Sequence, residues 1–134
     1  YIGSEDGLFR AITSNGKLKW QHHISQPVIS SAAISPEGNI YVGADDNHLY
    51  AFSRNGKVKW KISLGNRLFS SPVVDSDEKV YIGCLDSQLY AVKAGEILWK
   101  FSTSGEIHSS PALSADGTLY IGSFDGFIYA ITGY

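Results

Sequence analysis

The chain has 134 residues, enough for one modest domain with its own core, and carries 11 Lys and Arg against 13 Asp and Glu for a net charge of −2. The charges are scattered along the sequence with no basic stripe to neutralise a phosphate backbone, which argues against a nucleic-acid partner. No apolar run approaches the roughly 18 residues of a membrane helix, no signal peptide is visible, and the lone Cys84 cannot form an internal disulfide.

The predicted elements repeat. Tyr1 opens the run YIGSEDGLFRA, and close copies follow as YVGADDNHLYA from Tyr41, YIGCLDSQLYA from Tyr81 and YIGSFDGFIYA from Tyr120. The period is therefore 40, 40 and 39 residues, which marks a repeat architecture. The first copy begins on a predicted strand, Tyr1–Ser4. The clearest unit, Ser70 to Ser102, divides into four short runs rich in Val, Ile, Leu and Tyr: Ser71–Asp75, Val80–Cys84, Gln88–Lys93 and Glu96–Ser102. The turn signals DSDEK, LDS and AG separate them, as expected of strands joined by hairpins. The chain closes on a predicted strand at Phe127–Thr132. The expectation is an all-β chain of 14 strands, grouped three, four, four and three. Four antiparallel strands in about 40 residues make a β-propeller blade, so residues 1–134 form a single propeller segment of about 3.5 blades.

The recurring letters have physical reasons. Asp6, Asp46, Asp86 and Asp125 are followed by Gly7, Asn47, Ser87 and Gly126, as two-residue turns with positive φ would require. Gly3, Gly43, Gly83 and Gly122 each precede a small residue, which places them where the next blade packs close. Cys84 takes one of those small positions and reads as a structural residue rather than a reactive thiol. Trp20, Trp60 and Trp99 recur once per unit on the fourth strand, where an aromatic of that size wedges between neighbouring blades.

The segments AITSNGKLKW, AFSRNGKVKW and AVKAGEILW, with the preceding SSPALSADGTLYIGSFDG pattern, resemble the tryptophan-docking motif of PQQ-like repeats. In that motif Ala opens the third strand, Gly follows in the turn and Trp lies late in the fourth. The resemblance covers the whole chain. It departs where an Asp often stands two residues after the Ala, here Thr13, Ser53 and Lys93, and in a shorter turn, shortest in the third unit. Members of such a family divide into quinoprotein dehydrogenases, with pyrroloquinoline quinone and calcium on the propeller axis, and scaffolds that bind no quinone. Typical alcohol-oxidising members carry a vicinal disulfide, a stacking Trp and calcium-binding Glu and Asn with a catalytic Asp. This sequence has no Cys pair, and every Trp occupies the docking slot.

The resemblance therefore implies a non-catalytic, extracytoplasmic scaffold for a protein or ligand, with no cofactor expected. The alternatives are the propeller portion of a PQQ-dependent dehydrogenase, with PQQ and calcium, and a sensor domain of a signalling receptor. Because the chain opens in mid-repeat, it reads as a segment of a longer propeller. A homodimer of two arcs closing one ring is the other expectation.

Propellers bind through loops at the mouth of the axial channel. Aligned on Ser30–Ser31, Ser70–Ser71 and Ser109–Ser110, the residues just before each pair are Ile29, Phe69 and His108, and two earlier stand Pro27, Arg67 and Glu106. Scaffold positions repeat and these vary, so Arg67, Phe69, Glu106 and His108 form the candidate binding face: a cation, an apolar anchor and two polar groups. Neighbours on a strand point to opposite faces, which sends His22 to the blade interface and His23 outward. With His48 in a turn, the histidines give no zinc-ligand spacing, and Asp45–Asn47 lacks the spacing of a calcium loop. No Ser sits in a G-x-S-x-G context that would suggest a hydrolase.

Overall fold

A computed structural model describes residues 1–134. In chain order the strands are β1 Leu8–Ile12, β2 Leu18–His23, β3 Ala33–Ile34, β4 Ile40–Gly43, β5 His48–Phe52, β6 Val58–Ser63 and β7 Val73–Val74. There follow β8 Val80–Gly83, β9 Gln88–Lys93, β10 Glu96–Ser102, β11 Ala112–Leu113, β12 Leu119–Gly122 and β13 Ile128–Ile131. They form four antiparallel meanders, β1-β2, β3-β4-β5-β6, β7-β8-β9-β10 and β11-β12-β13. Thirteen strands form rather than fourteen. Tyr1–Ser4 has a partner on one side only and contributes the single bridge Ile2–Arg10.

The innermost strands β3, β7 and β11 have two residues each, shorter than the expected Ser71–Asp75. The reason lies in the serine pairs. Ser30 Oγ donates to Gly43 O at 2.8 Å and accepts from Gly43 N at 3.1 Å, replacing ladder bonds with a side chain. Ser109 does the same with Gly122, and Ser70 accepts from Gly83 N. Pro72 and Pro111 then follow with no N–H to offer. The second serine of each pair reaches sideways: Ser31 N donates to Ser71 Oγ at 2.8 Å, and Ser71 N to Ser110 Oγ at 3.0 Å. A hydrogen-bonded row thus links the inner edges of adjacent sheets.

The Asp turns differ from expectation in type. Ala44 N bonds His48 O, Cys84 N bonds Gln88 O and Ser123 N bonds Phe127 O, so each loop has three residues. Only the third has positive φ: Asn47 at 67°, Ser87 at 69° and Gly126 at 89°. A type I turn ending in a left-handed residue satisfies the hairpin without placing Asp in a strained region. The two-residue version occurs once, at Ala94 (φ 52°) and Gly95 (φ 84°), where the third unit is one residue shorter.

Burial shows how the sheets stack. β4 and β8 are buried at every position, whereas β1 and β12 bury alternate residues and β13 alternates exposed with half-buried ones. Strands alternate their side chains between two faces, so full burial requires a neighbour on both. The core accordingly lies between sheets. Phe9, Ile24 and Val28 pack with Ile40, Val42 and Phe52 across the first junction, and Tyr41, Leu49 and Leu68 pack with Val80, Ile82 and Val92 across the second. Leu89, Ile107 and Ile121 fill the third. Gly43 and Gly83 stand where side chains of the following loop arrive: a Cβ at Gly43 would lie 2.7 Å from Leu68 Cβ, and one at Gly83 would overlap Ile107 Cγ2.

Each tryptophan sits at a bulge. Trp20, Trp60 and Trp99 lie opposite Ala11, Ala51 and Ala91, and the ladder slips by one residue just beside each pair. Trp20 lies against Gly56 of the next sheet and its Nε1 donates to Arg54 O at 2.9 Å. Trp60 likewise lies against Gly95 of the next sheet. All three indoles are half-buried rather than core residues.

Candidate binding face

An antiparallel meander returns its second-to-third turn and its exit loop to the same end of the sheet. Here that end gathers the Asp turns near residues 4–8, 44–48, 84–88 and 123–127, with the inter-sheet loops 24–31, 64–71 and 103–110 between them. Backbone bonds stitch each loop to the turns on both sides. Leu64 N donates to Asn47 O and Leu68 N to Ala44 O of one sheet, while Arg67 O accepts from Leu85 N of the next. Thr103 N, Ile107 N and Glu106 O repeat the pattern with Ser87, Cys84 and Phe124. A buried apolar side chain pins each loop: Val28, Leu68 or Ile107. Its neighbours in sequence are thereby turned outward.

Those outward neighbours include all four predicted site residues, and the structure brings them together. Arg67 Cζ lies 5.0 Å from the centre of the Phe69 ring. Phe69 meets His108 edge to face at 5.5 Å. His108 Nε2 is 2.7 Å from Glu106 Oε2. The imidazole also stacks on Phe124, with centroids 4.2 Å apart and planes 4° from parallel.

Phe124 was not singled out by the sequence. It is 71% exposed, and only one of its faces is covered by His108. A signal existed: the residue before each turn Asp is Glu5, Asp45, Leu85 or Phe124, as variable as the loop positions beside it. Asp45 also belongs to this face. Burial pushes its carboxyl pKa up, with Arg67 opposing and Asp46 adding to the rise, and its Oδ1 has no hydrogen-bond donor.

The turn aspartates have structural work. Tyr50 donates to Asp46 at 2.6 Å, Tyr90 to Asp86 at 2.5 Å and Tyr129 to Asp125 at 2.7 Å. In the first unit Arg10 replaces the tyrosine and pairs with Asp6 at 2.6 Å. Each carboxylate also accepts a backbone N–H two residues on, from Leu8, His48, Gln88 or Phe127.

The other histidines stand apart from His108. His22 packs on Phe52 at 5.1 Å and Tyr50 at 6.2 Å, at the sheet interface, and His23 is exposed. His48 Nδ1 sits 2.8 Å from Asp46 O of its own turn. These three border a cleft of about 650 Å³ with Trp60 and Lys61. Cys84 is fully buried, and burial pushes its thiol up to about 12, far from the range of a nucleophile.

Antiparallel sheets stacked face to face, with their first strands linked along an inner edge, define a β-propeller arc. The profile of the PQQ_2 family, described as outer membrane protein assembly factor BamB, matches residues 54–133, and the chain belongs to this family of PQQ-like repeats. The crystal structure of BamB from Moraxella catarrhalis superposes with a TM-score of 0.81 at 21% identity, covering 96% of this chain and 41% of that one. The WD40 β-propeller domain of Doa1 superposes with a TM-score of 0.84 at 13% identity, covering 98% and 46%. These likenesses show the fold, and the chain spans less than half the length of either structure. No curated protein gives a significant match.

Proposed function

We propose that the chain is a non-catalytic PQQ-like propeller scaffold that binds a protein partner on the face carrying Arg67, Phe69, Glu106, His108 and Phe124. The observation that carries this reading is the unbroken contact chain Arg67–Phe69–His108–Phe124, built from positions that vary between repeats and ending on a largely exposed ring. Rigid aromatic and arginine anchors on a firm scaffold suit protein recognition. The assembly-factor description of the matched family supports the same reading and an extracytoplasmic location. Trp20 and Trp60, each lying on a glycine of the next sheet, act as docking tryptophans that hold the arc rigid. The outer faces of the terminal sheets expose Ile2, Ile12, Tyr120 and Ile128. Continuation into a longer propeller, or a second copy closing a ring, would cover them.

A photo-crosslinking residue placed at position 124 tests the proposal in cells that make the protein. Adducts are expected from 124 and not from position 55, in a turn at the opposite end of the sheets. Equal adducts from both positions, or none from 124, would overturn it.

A further inference from the structure

Charge that looks scattered along the sequence is sorted by the fold. A period of about 40 residues brings each turn Asp to the same end of its sheet. Asp6, Asp46, Asp86 and Asp125 therefore share one face with Glu5, Asp45 and Glu106. Seven of the 13 Asp and Glu lie in the turns and loops of that face, against Arg67 alone of the 11 Lys and Arg. Arg10, in the middle of β1, reaches back to neutralise Asp6. The hydroxyl and amide donors to Asp46, Asp86 and Asp125 hold those carboxylates in place without cancelling their charge. With the Asp6–Arg10 pair set aside, the face keeps six carboxylates against Arg67 and the remainder of the molecule carries nine Lys and Arg against six Asp and Glu, so a net charge of −2 conceals a polarised chain.

The same face is apolar at its anchors. Ile29 is 49% exposed, Phe124 71% and Phe127 63%. Aromatic rings in a negative field attract cations over their faces as well as apolar side chains. Asp45 stands half-buried beside Arg67 and adds its charge to the field of this face, its Oδ1 being enclosed. A phosphate backbone or an anionic lipid surface would be repelled here.

We infer that the face docks a basic, aromatic-bearing polypeptide segment, its Lys or Arg side chains meeting Glu106 and the turn aspartates while a ring covers the free side of Phe124. This rests on the scaffold reading above and adds the chemistry of the partner. Complementary charge sets the approach and the register, and the buried ring sets the residence time.

The test uses two short fluorescein-labelled peptides, one of Lys, Phe and Ser and the other with Glu in place of every Lys, titrated against the full chain by fluorescence anisotropy. Amide chemical shifts of the isotope-labelled protein locate the site. The basic peptide is expected to bind and shift residues of loops 64–71 and 103–110 and of the turn at 123–127. Its affinity should fall about tenfold between roughly 0.05 and 0.5 M salt, and about tenfold in Phe124→Ala, whose exposed side chain leaves the fold intact. Equal or tighter binding of the acidic peptide at the same residues would overturn the basic-partner inference and leave the scaffold reading standing. If neither peptide shifts these residues, the face is not the docking surface and both readings fall; if the basic peptide shifts them but Phe124→Ala leaves its affinity unchanged, the aromatic part of the inference falls and the scaffold reading stands.

Discussion

Substituting alanine at Gly43 and at Gly122 places the same change at equivalent positions with opposite surroundings. A Cβ on Gly43 would lie 2.7 Å from Leu68 Cβ and 2.9 Å from Ile82 Cδ1. Carbon atoms in van der Waals contact sit about 3.5–4.0 Å apart, so the overlap approaches about 1 Å. Leu68 Cβ is fixed to the backbone of a loop whose N–H is bonded to Ala44 O, and Leu68 is fully buried. Relief therefore requires the loop to move away from the sheet. Overpacking of this kind costs about 1–3 kcal/mol. For a chain of this length, about 2 kcal/mol corresponds to a fall in Tm of roughly 7 °C. At Gly122 the nearest atom outside the adjoining residues is Ser109 Oγ at 3.6 Å, an ordinary contact. In the 134-residue chain taken by itself, where no loop packs on the last sheet, Gly122→Ala should be neutral or raise Tm by a degree or two, because Gly weakens a strand by about 0.5–1 kcal/mol relative to Ala. Thermal unfolding followed by tryptophan fluorescence measures both. Equal losses at the two positions would refute the reasoning, since the glycine would then be required by its own strand and not by the loop arriving from the next junction.

Tyr90→Phe removes the hydroxyl that donates to Asp86 at 2.5 Å and leaves the ring in place; urea titration should show a loss of about 1–2 kcal/mol, and Asp86→Asn made in the Tyr90→Phe background should cost less than it does alone. His22 is held below its ordinary pKa of 6.5 by burial first, with the charges of His23 and Lys61 adding to the fall. The unfolded chain takes up this proton at higher pH than the fold does, so the stabilising contribution is present above about pH 6.5 and is lost as pH falls through the folded pKa. Melting temperatures measured from pH 7.5 to 5 should decline in the wild type, and His22→Phe, which places the residue found at Phe101 in the third unit, should flatten that decline.

The repeat itself was fully legible. Four copies of one eleven-residue run, short β-rich segments and turn residues at a fixed period define a propeller whatever surrounds them, because strand patterning and turn chemistry are local. The boundaries were less so. Ser71–Asp75 has the composition of a full strand, yet only Val73–Val74 pairs with β8, since Ser70 Oγ takes the backbone N–H of Gly83 and Pro72 has none to give. Tyr1–Ser4 reads like the later copies and forms only a bridge, because strand pairing depends on neighbours and not on composition.

Much of the candidate face was also visible, as variation against a constant background: Arg67, Phe69, Glu106 and His108 stood out because the residues around them repeat. Their mutual contacts were not visible, for they lie on separate loops about 40 residues apart in the chain and meet only when two sheets stack. Phe124 went unseen for the same reason, being one more residue beside a turn until His108 lies across it. Charge followed this division most clearly. The sequence alone determined how many carboxylates the chain carries and that most turns hold one. Only the tertiary structure decided that the turns of successive repeats point the same way, so that charges 40 residues apart add to one field instead of cancelling with the lysines between them.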